Sequence, residues 1–139
     1  MLPENMQKNI RKFKLGKLVR DKIVEGIIKT GNNPHFHKLN KSDYIKELKK
    51  KVLEEASEFP KAKNKKELAE EIADLQEIID NLLEVLKISK TGIAKLQKEK
   101  NKKRGSFKKR LYIDTVEVIN NSEWVKYYLA NPEKFPEIK

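Results

Sequence analysis

Two short acidic patterns hold the side chains best placed for chemistry: Glu54-Glu55-Ala56-Ser57-Glu58 and Glu71-Ile72-Ala73-Asp74. Residues three apart on a helix occupy neighbouring ridges of one face, with Cβ atoms roughly 5–6 Å apart. Glu55 with Glu58, and Glu71 with Asp74, can therefore each aim two carboxylates at one point. Hard oxygen donors in that number suit Mg²⁺, with Mn²⁺ as a substitute. The competing reading is a row of ordinary charges beside a helical seam. Such a row normally has lysines nearby, whereas the stretch from Glu67 to Leu86 holds seven acidic residues and no Lys or Arg. Like charges three and four apart repel unless a cation lies between them.

The basic residues are segregated in the opposite sense. Lys95 to Arg110 contains nine Lys and Arg and one acid, and Lys8 to Lys22 contains seven and one acid. Lys100 and Arg104, four apart, share a helical face. A cation site and a polyphosphate site would give this distribution. The net charge of +11 also invites a nucleic-acid reading, although lysine filling exposed positions accounts for much of that excess.

These groups must be positioned by helices. Ile45, Leu48, Val52, Ala56 and Phe59 step by three and four, and so do Leu68, Ile72, Leu75, Ile79, Leu82 and Leu86. The acids immediately precede seam residues, so packing the two seams together would let the acidic pairs converge. Ser42 or Asp43 is expected to cap the first of these helices, and the second is expected to start near Glu67. An earlier helix is expected within Leu15–Thr30, ended by Gly31-Asn32-Asn33-Pro34, and a later one from Ser89 to Gly105. Leu111, Ile113, Val116 and Val118 read as a short strand or hairpin, and Asn121 to Ala130 as a last short helix. The expected fold class is all-α, an antiparallel helical bundle with a short C-terminal strand and helix appendage. Residues 1–14 read as a basic lead-in, and residues 15–139 as one domain that includes a C-terminal extension over 112–139.

With 37% hydrophobic and 38% charged residues and no Cys, disulfides and thiolate metal sites are excluded. No apolar stretch approaches a membrane span. A cytoplasmic protein without a membrane partner is expected.

Lys17-Leu18-Val19-Arg20-Asp21-Lys22-Ile23, the E-E-x-x-E pattern, Glu70-Glu71-Ile72-Ala73-Asp74, and Lys100 with Arg104-Gly105-Ser106-Phe107 follow one another in this order. The set resembles the MazG-like and phosphoribosyl-ATP pyrophosphohydrolase-like nucleotide pyrophosphatases, over roughly Lys17 to Leu111. The resemblance implies an all-α, usually oligomeric enzyme, a dimer or tetramer. It implies Mg²⁺-dependent cleavage of a nucleoside triphosphate between the α and β phosphates. By position, Glu55, Glu58, Glu71 and Asp74 match the family's metal-binding carboxylates. Glu54, with Glu55 beside it, matches the acids that orient or deprotonate the attacking water. Lys100 and Arg104 match phosphate-binding positions. Three departures stand out: Val24 replaces the familiar Pro, Ser106 replaces a second Gly, and Leu75-Gln76-Glu77 replaces a Tyr-His. The last argues against phosphoribosyl-ATP as substrate.

Lys17, Arg20, Asp80 and Asn81 are further candidates for nucleotide contact, although Arg20 and Asp21 could equally form a local salt bridge at the first helix. His35 and His37 lack a third ligand nearby, which favours surface or packing roles. Trp124, Tyr127 and Tyr128 could stack a base or form a core. The expected function is a nucleotide pyrophosphatase, with nucleotide-pool house-cleaning as its setting. The alternative is a basic helical nucleic-acid-binding or non-catalytic interaction protein. Against nucleic acid stand the lack of a recognition motif and the acidity of the third helix, which would repel a phosphate backbone.

Overall fold

The computed structural model describes residues 9–139. Among them it contains five α-helices and one 3₁₀ turn. Helix α1 spans Asp21–Lys29, α2 Lys41–Glu58, α3 Lys65–Leu86, α4 Lys90–Arg104 and α5 Glu123–Ala130. The all-α class is as expected. Part of the expected lead-in, residues 1–8, lies outside the described residues.

Local chemistry sets most of the helix boundaries. Asn40, not Ser42 or Asp43, caps α2, its side chain accepting from the Asp43 backbone N–H at 2.8 Å. Asp43 instead occupies the first turn, where the helix macrodipole favours a negative charge. Asn64 caps α3 by accepting from the Glu67 N–H at 2.9 Å, and Glu67 reaches back to accept from the Lys63 N–H at 2.7 Å. That reciprocal pair starts the helix two residues earlier than the apolar pattern alone suggests. Phe59–Lys61 tightens into the 3₁₀ turn around Pro60. Lys87, in the left-handed region at φ 56°, ends α3. Ser89 accepts from the Gly92 N–H at 3.0 Å, the cap expected for α4. Gly105, at φ 82°, follows α4, a conformation that glycine adopts without a Cβ clash.

Two compact units are present, one ending at Gln97 and the other running from Lys98 to Lys139. In the first, α2 and α3 form the main packed pair. They run antiparallel: Tyr44 near the start of α2 bonds Asn81 near the end of α3, while Glu55 late in α2 meets Glu71 early in α3. Leu48 and Ile78, midway along, are the two buried apolar side chains among the described residues. The facing rows are therefore Tyr44, Leu48 and Glu55 on one helix and Glu71, Asp74, Ile78 and Asn81 on the other. The expected seam is present in part: Ile45, Leu48, Val52, Phe59, Leu75, Ile79 and Leu82 are buried or half-buried. Ala56, Leu68, Ile72 and Leu86 are exposed, so α3 turns its acidic row inward and leaves part of its apolar stripe outside.

In the second unit the expected strand over residues 111–118 is absent among the described residues. Its alternating Leu111 and Ile113 are 84% and 79% exposed. A strand needs a partner to pair its backbone groups and a face to bury, and no other strand exists among the described residues to supply either. The expected last helix is present as α5, capped by Ser122, whose Oγ accepts from the Trp124 N–H at 3.2 Å.

Candidate metal centre

Glu55 on α2 and Glu71 and Asp74 on α3 each offer one carboxylate oxygen, and the three oxygens lie within 4.8 Å of one another. All three residues are half-buried. Two features of the fold bring them together. The i, i+3 spacing puts Glu71 and Asp74 on one ridge, and the antiparallel hairpin lays Glu55 opposite them.

The Glu71 carboxyl is raised above the usual carboxylate range. Partial burial contributes first, followed by the charge of Glu55, a hydrogen bond with Glu55, and the charges of Asp74 and Glu58. Three carboxylates this close repel one another; Arg20 relieves part of that charge at Asp74, and a proton or a cation would relieve more. The donor set fits Mg²⁺ or Mn²⁺: all the donors are hard oxygens, and partial exposure leaves room for the waters that Mg²⁺ retains.

The surrounding charges sort the remaining candidates. Glu58 stays outside the three-carboxylate group and pairs with Lys61 at 3.5 Å, although its charge is felt at Glu71. Glu54 lies between Lys51 at 3.3 Å and Lys17 at 3.9 Å. Arg20 donates to Asp74 at 2.8 Å, so it pairs with the site across the fold and not with its neighbour Asp21. Asp80 accepts from Gln76 at 2.8 Å and lies 3.7 Å from Lys90. Asn81 accepts from the Tyr44 hydroxyl at 3.3 Å and donates to the Glu77 backbone and carboxylate.

Beside the carboxylates opens a cleft of about 500 Å³, lined among others by Arg20, Tyr44, Lys51, Glu55, Asp74 and Asn81. That volume falls within the range of small-ligand sites. Another hollow, at the Tyr44–Asn81 end and bounded by Lys41 and Glu84, contains none of the three clustered acids. The cleft with the acids is the one that offers chemistry. Tyr44 and Lys51 were not evident from the acidic motifs. Counting back from Glu55 by four, three and four reaches Lys51, Leu48 and Tyr44, a helical row that could have revealed both. Burial, then Glu84, Glu77 and Asp21, raise the Tyr44 phenol above its ordinary value, which favours the protonated hydroxyl that donates to Asn81.

Lys100 and Arg104 stand on the last turns of α4, exposed, in the second unit. Neither forms an ion pair among the described residues. His35 and His37 are exposed and take no part in the acidic cluster.

No family model, curated protein or solved structure matches the chain. The functional reading therefore rests on its own residues and on the four ordered motifs.

Proposed function

We propose that this protein is a Mg²⁺-dependent nucleoside triphosphate pyrophosphohydrolase that yields a nucleoside monophosphate and pyrophosphate, acting in nucleotide-pool house-cleaning. The observation that carries the reading is the convergence of Glu55, Glu71 and Asp74 on one point.

In this reading those three carboxylates hold the metal, with Glu58 lending negative charge from the next turn. Mg²⁺ held there would neutralise phosphate oxygens and make a nearby water more acidic. Water adds across the phosphoanhydride bond between the α and β phosphorus atoms, and its proton passes to Glu54. Lys17 and Lys51 hold the Glu54 carboxylate in place. Arg20 keeps one Asp74 oxygen oriented, and Tyr44 holds Asn81 at the cleft, where one lone pair of its Oδ1 is left to accept from a base. Lys100 and Arg104, two cations sharing a helix face, are phosphate-binding residues on the resemblance alone. No covalent nucleophile is needed.

A homo-oligomer, dimer or tetramer, belongs to the same reading. Leu53 and Ile72 on the α2–α3 pair are 74% and 52% exposed, and few apolar side chains are buried among the described residues. A second copy would cover such exposed apolar side chains.

The test is a nucleotide panel with Mg²⁺ that scores pyrophosphate against orthophosphate. Monophosphate and pyrophosphate from at least one triphosphate are expected, with Mg²⁺ or Mn²⁺ required. Orthophosphate as the product, or equal activity in chelator, contradicts the reading.

A further inference from the structure

The second unit contains eleven Lys and Arg against six Asp and Glu. Eight of the eleven fall between Lys98 and Arg110, a stretch exposed throughout. Among the described residues none of these eight forms an ion pair. A run of cations without carboxylate partners repels itself and attracts a polyanion. Aromatic rings are interleaved with it. Phe107, between Arg104 and Lys108, is 99% exposed, and Tyr112 is 87% exposed.

Further along, α5 presents a built aromatic platform. Trp124 stacks on Tyr128 with ring centroids 6.0 Å apart and planes at 26°, and Tyr127 and Phe135 complete the group. Trp124 nevertheless remains 61% exposed. Its position is held by the helix cap at Ser122 and by the Tyr128 ring beneath it, while much of the indole faces solvent.

Cations along a helix end and the loop after it, with open aromatic faces, are the two components of single-strand recognition: phosphates meet the cations and bases stack on the rings. An anionic membrane is a poorer occupant. The basic helix α4 has only Ile93, Ala94 and Leu96 as apolar residues in Lys90–Arg104, too few for a continuous face to insert.

We propose that the second unit binds single-stranded nucleic acid, with Lys98–Arg110 along the phosphates and Phe107 and Trp124 stacking on bases. This binding shares Lys100 and Arg104 with the hydrolytic reading, and the variants below leave both in place. Trp124 is the sole tryptophan of the chain, so its fluorescence reports directly on stacking.

The experiment titrates the full chain at low salt with oligo(dT), oligo(U), inorganic polyphosphate and phosphatidylglycerol vesicles. Saturable quenching by oligo(dT) or oligo(U) is expected, and the arm that binds more tightly tells DNA from RNA. A fluorescein-labelled oligonucleotide followed by anisotropy then tests variants. K108A/K109A/R110A should lower the slope of log K against log salt by about 2. W124A should weaken binding roughly tenfold. F107A should weaken it several-fold, and Phe107 is so exposed that its removal leaves folding untouched. Absence of quenching overturns the proposal, as does a response confined to vesicles. Equal binding of polyphosphate with unchanged affinity in both W124A and F107A also overturns it, since charge alone would then explain the binding.

Discussion

Glu71 is the residue on which the site turns, because its carboxyl is raised by burial first and then by Glu55, Asp74 and Glu58. A carboxyl that binds its proton more tightly in the folded than in the unfolded chain makes the metal-free fold gain stability as pH falls. The gain begins as pH drops through the raised folded value and is complete below the ordinary carboxylate value. At neutral pH the repulsion is felt in full. Melting curves in chelator from pH 7.5 down to pH 5 should therefore show a smaller rise for Glu71→Gln than for wild type, and Glu71→Gln should be the more stable at neutral pH. Parallel curves with equal midpoints would mean that Glu71 carries no such strain. Under the proposed function the same substitution should also remove catalysis, because it takes away one of the three proposed cation ligands. Arg20 offers a contrasting case. Its pair with Asp74 is well exposed, so Arg20→Ala should change stability by no more than about 1 kcal/mol while lowering turnover through a less ordered Asp74. A large stability loss with unchanged turnover would make Arg20 a structural residue.

At the scale of the helices, the hairpin of α2 and α3 sets the geometry of the acids. Leu48 is only 3% exposed in a thin interface, so Leu48→Ala should cost about 2–5 kcal/mol by denaturant melting and disturb the cluster with it. Asn64→Ala removes the α3 cap and should cost about 1 kcal/mol. A smaller cost for Leu48→Ala than for Asn64→Ala would mean that the hairpin is not what holds the unit together.

The acids could be found from the sequence because i, i+3 spacing is a local property of a helix. The face they turn inward was less accessible. The apolar stripe through Leu68, Ile72 and Leu75 suggests one seam; Leu75 is half-buried, whereas Leu68 and Ile72 stay exposed and Glu71 and Asp74 join the facing row. An apolar stripe shows where burial is favoured, not which of two neighbouring surfaces receives which partner. The α2 cap falls two or three residues before the expected Ser42 or Asp43, because Asn40, Ser42 and Asp43 are all good cap formers and only the backbone turn chooses among them. The expected strand failed for want of a partner, which alternation within one segment cannot supply.

At the scale of the whole molecule, two compositions divide between two units: the carboxylate cluster in one, the unpaired cations and open aromatic rings in the other. The exposed Leu53 and Ile72 belong to a chain with few buried apolar side chains among its described residues, which is why an oligomer is part of the proposed function. Light scattering at micromolar concentration should give a dimer or tetramer, and Ile72→Lys should shift it toward monomer. A wild-type monomer at that concentration would remove the oligomer from the account.

The central claim, that Glu55, Glu71 and Asp74 hold a Mg²⁺ ion for phosphoanhydride cleavage, is tested most directly by pyrophosphate formation measured against Mg²⁺ concentration in wild type and Asp74→Asn. The nucleotide is the best substrate of the panel, and circular dichroism confirms that both proteins are folded. Wild type should show a saturable requirement for Mg²⁺ that chelator abolishes. Asp74→Asn should fall by about a hundredfold or more, in line with the loss of one preorganised charge contact in a catalytic site. Equal rates in the two proteins, or a wild-type rate indifferent to Mg²⁺, would contradict it.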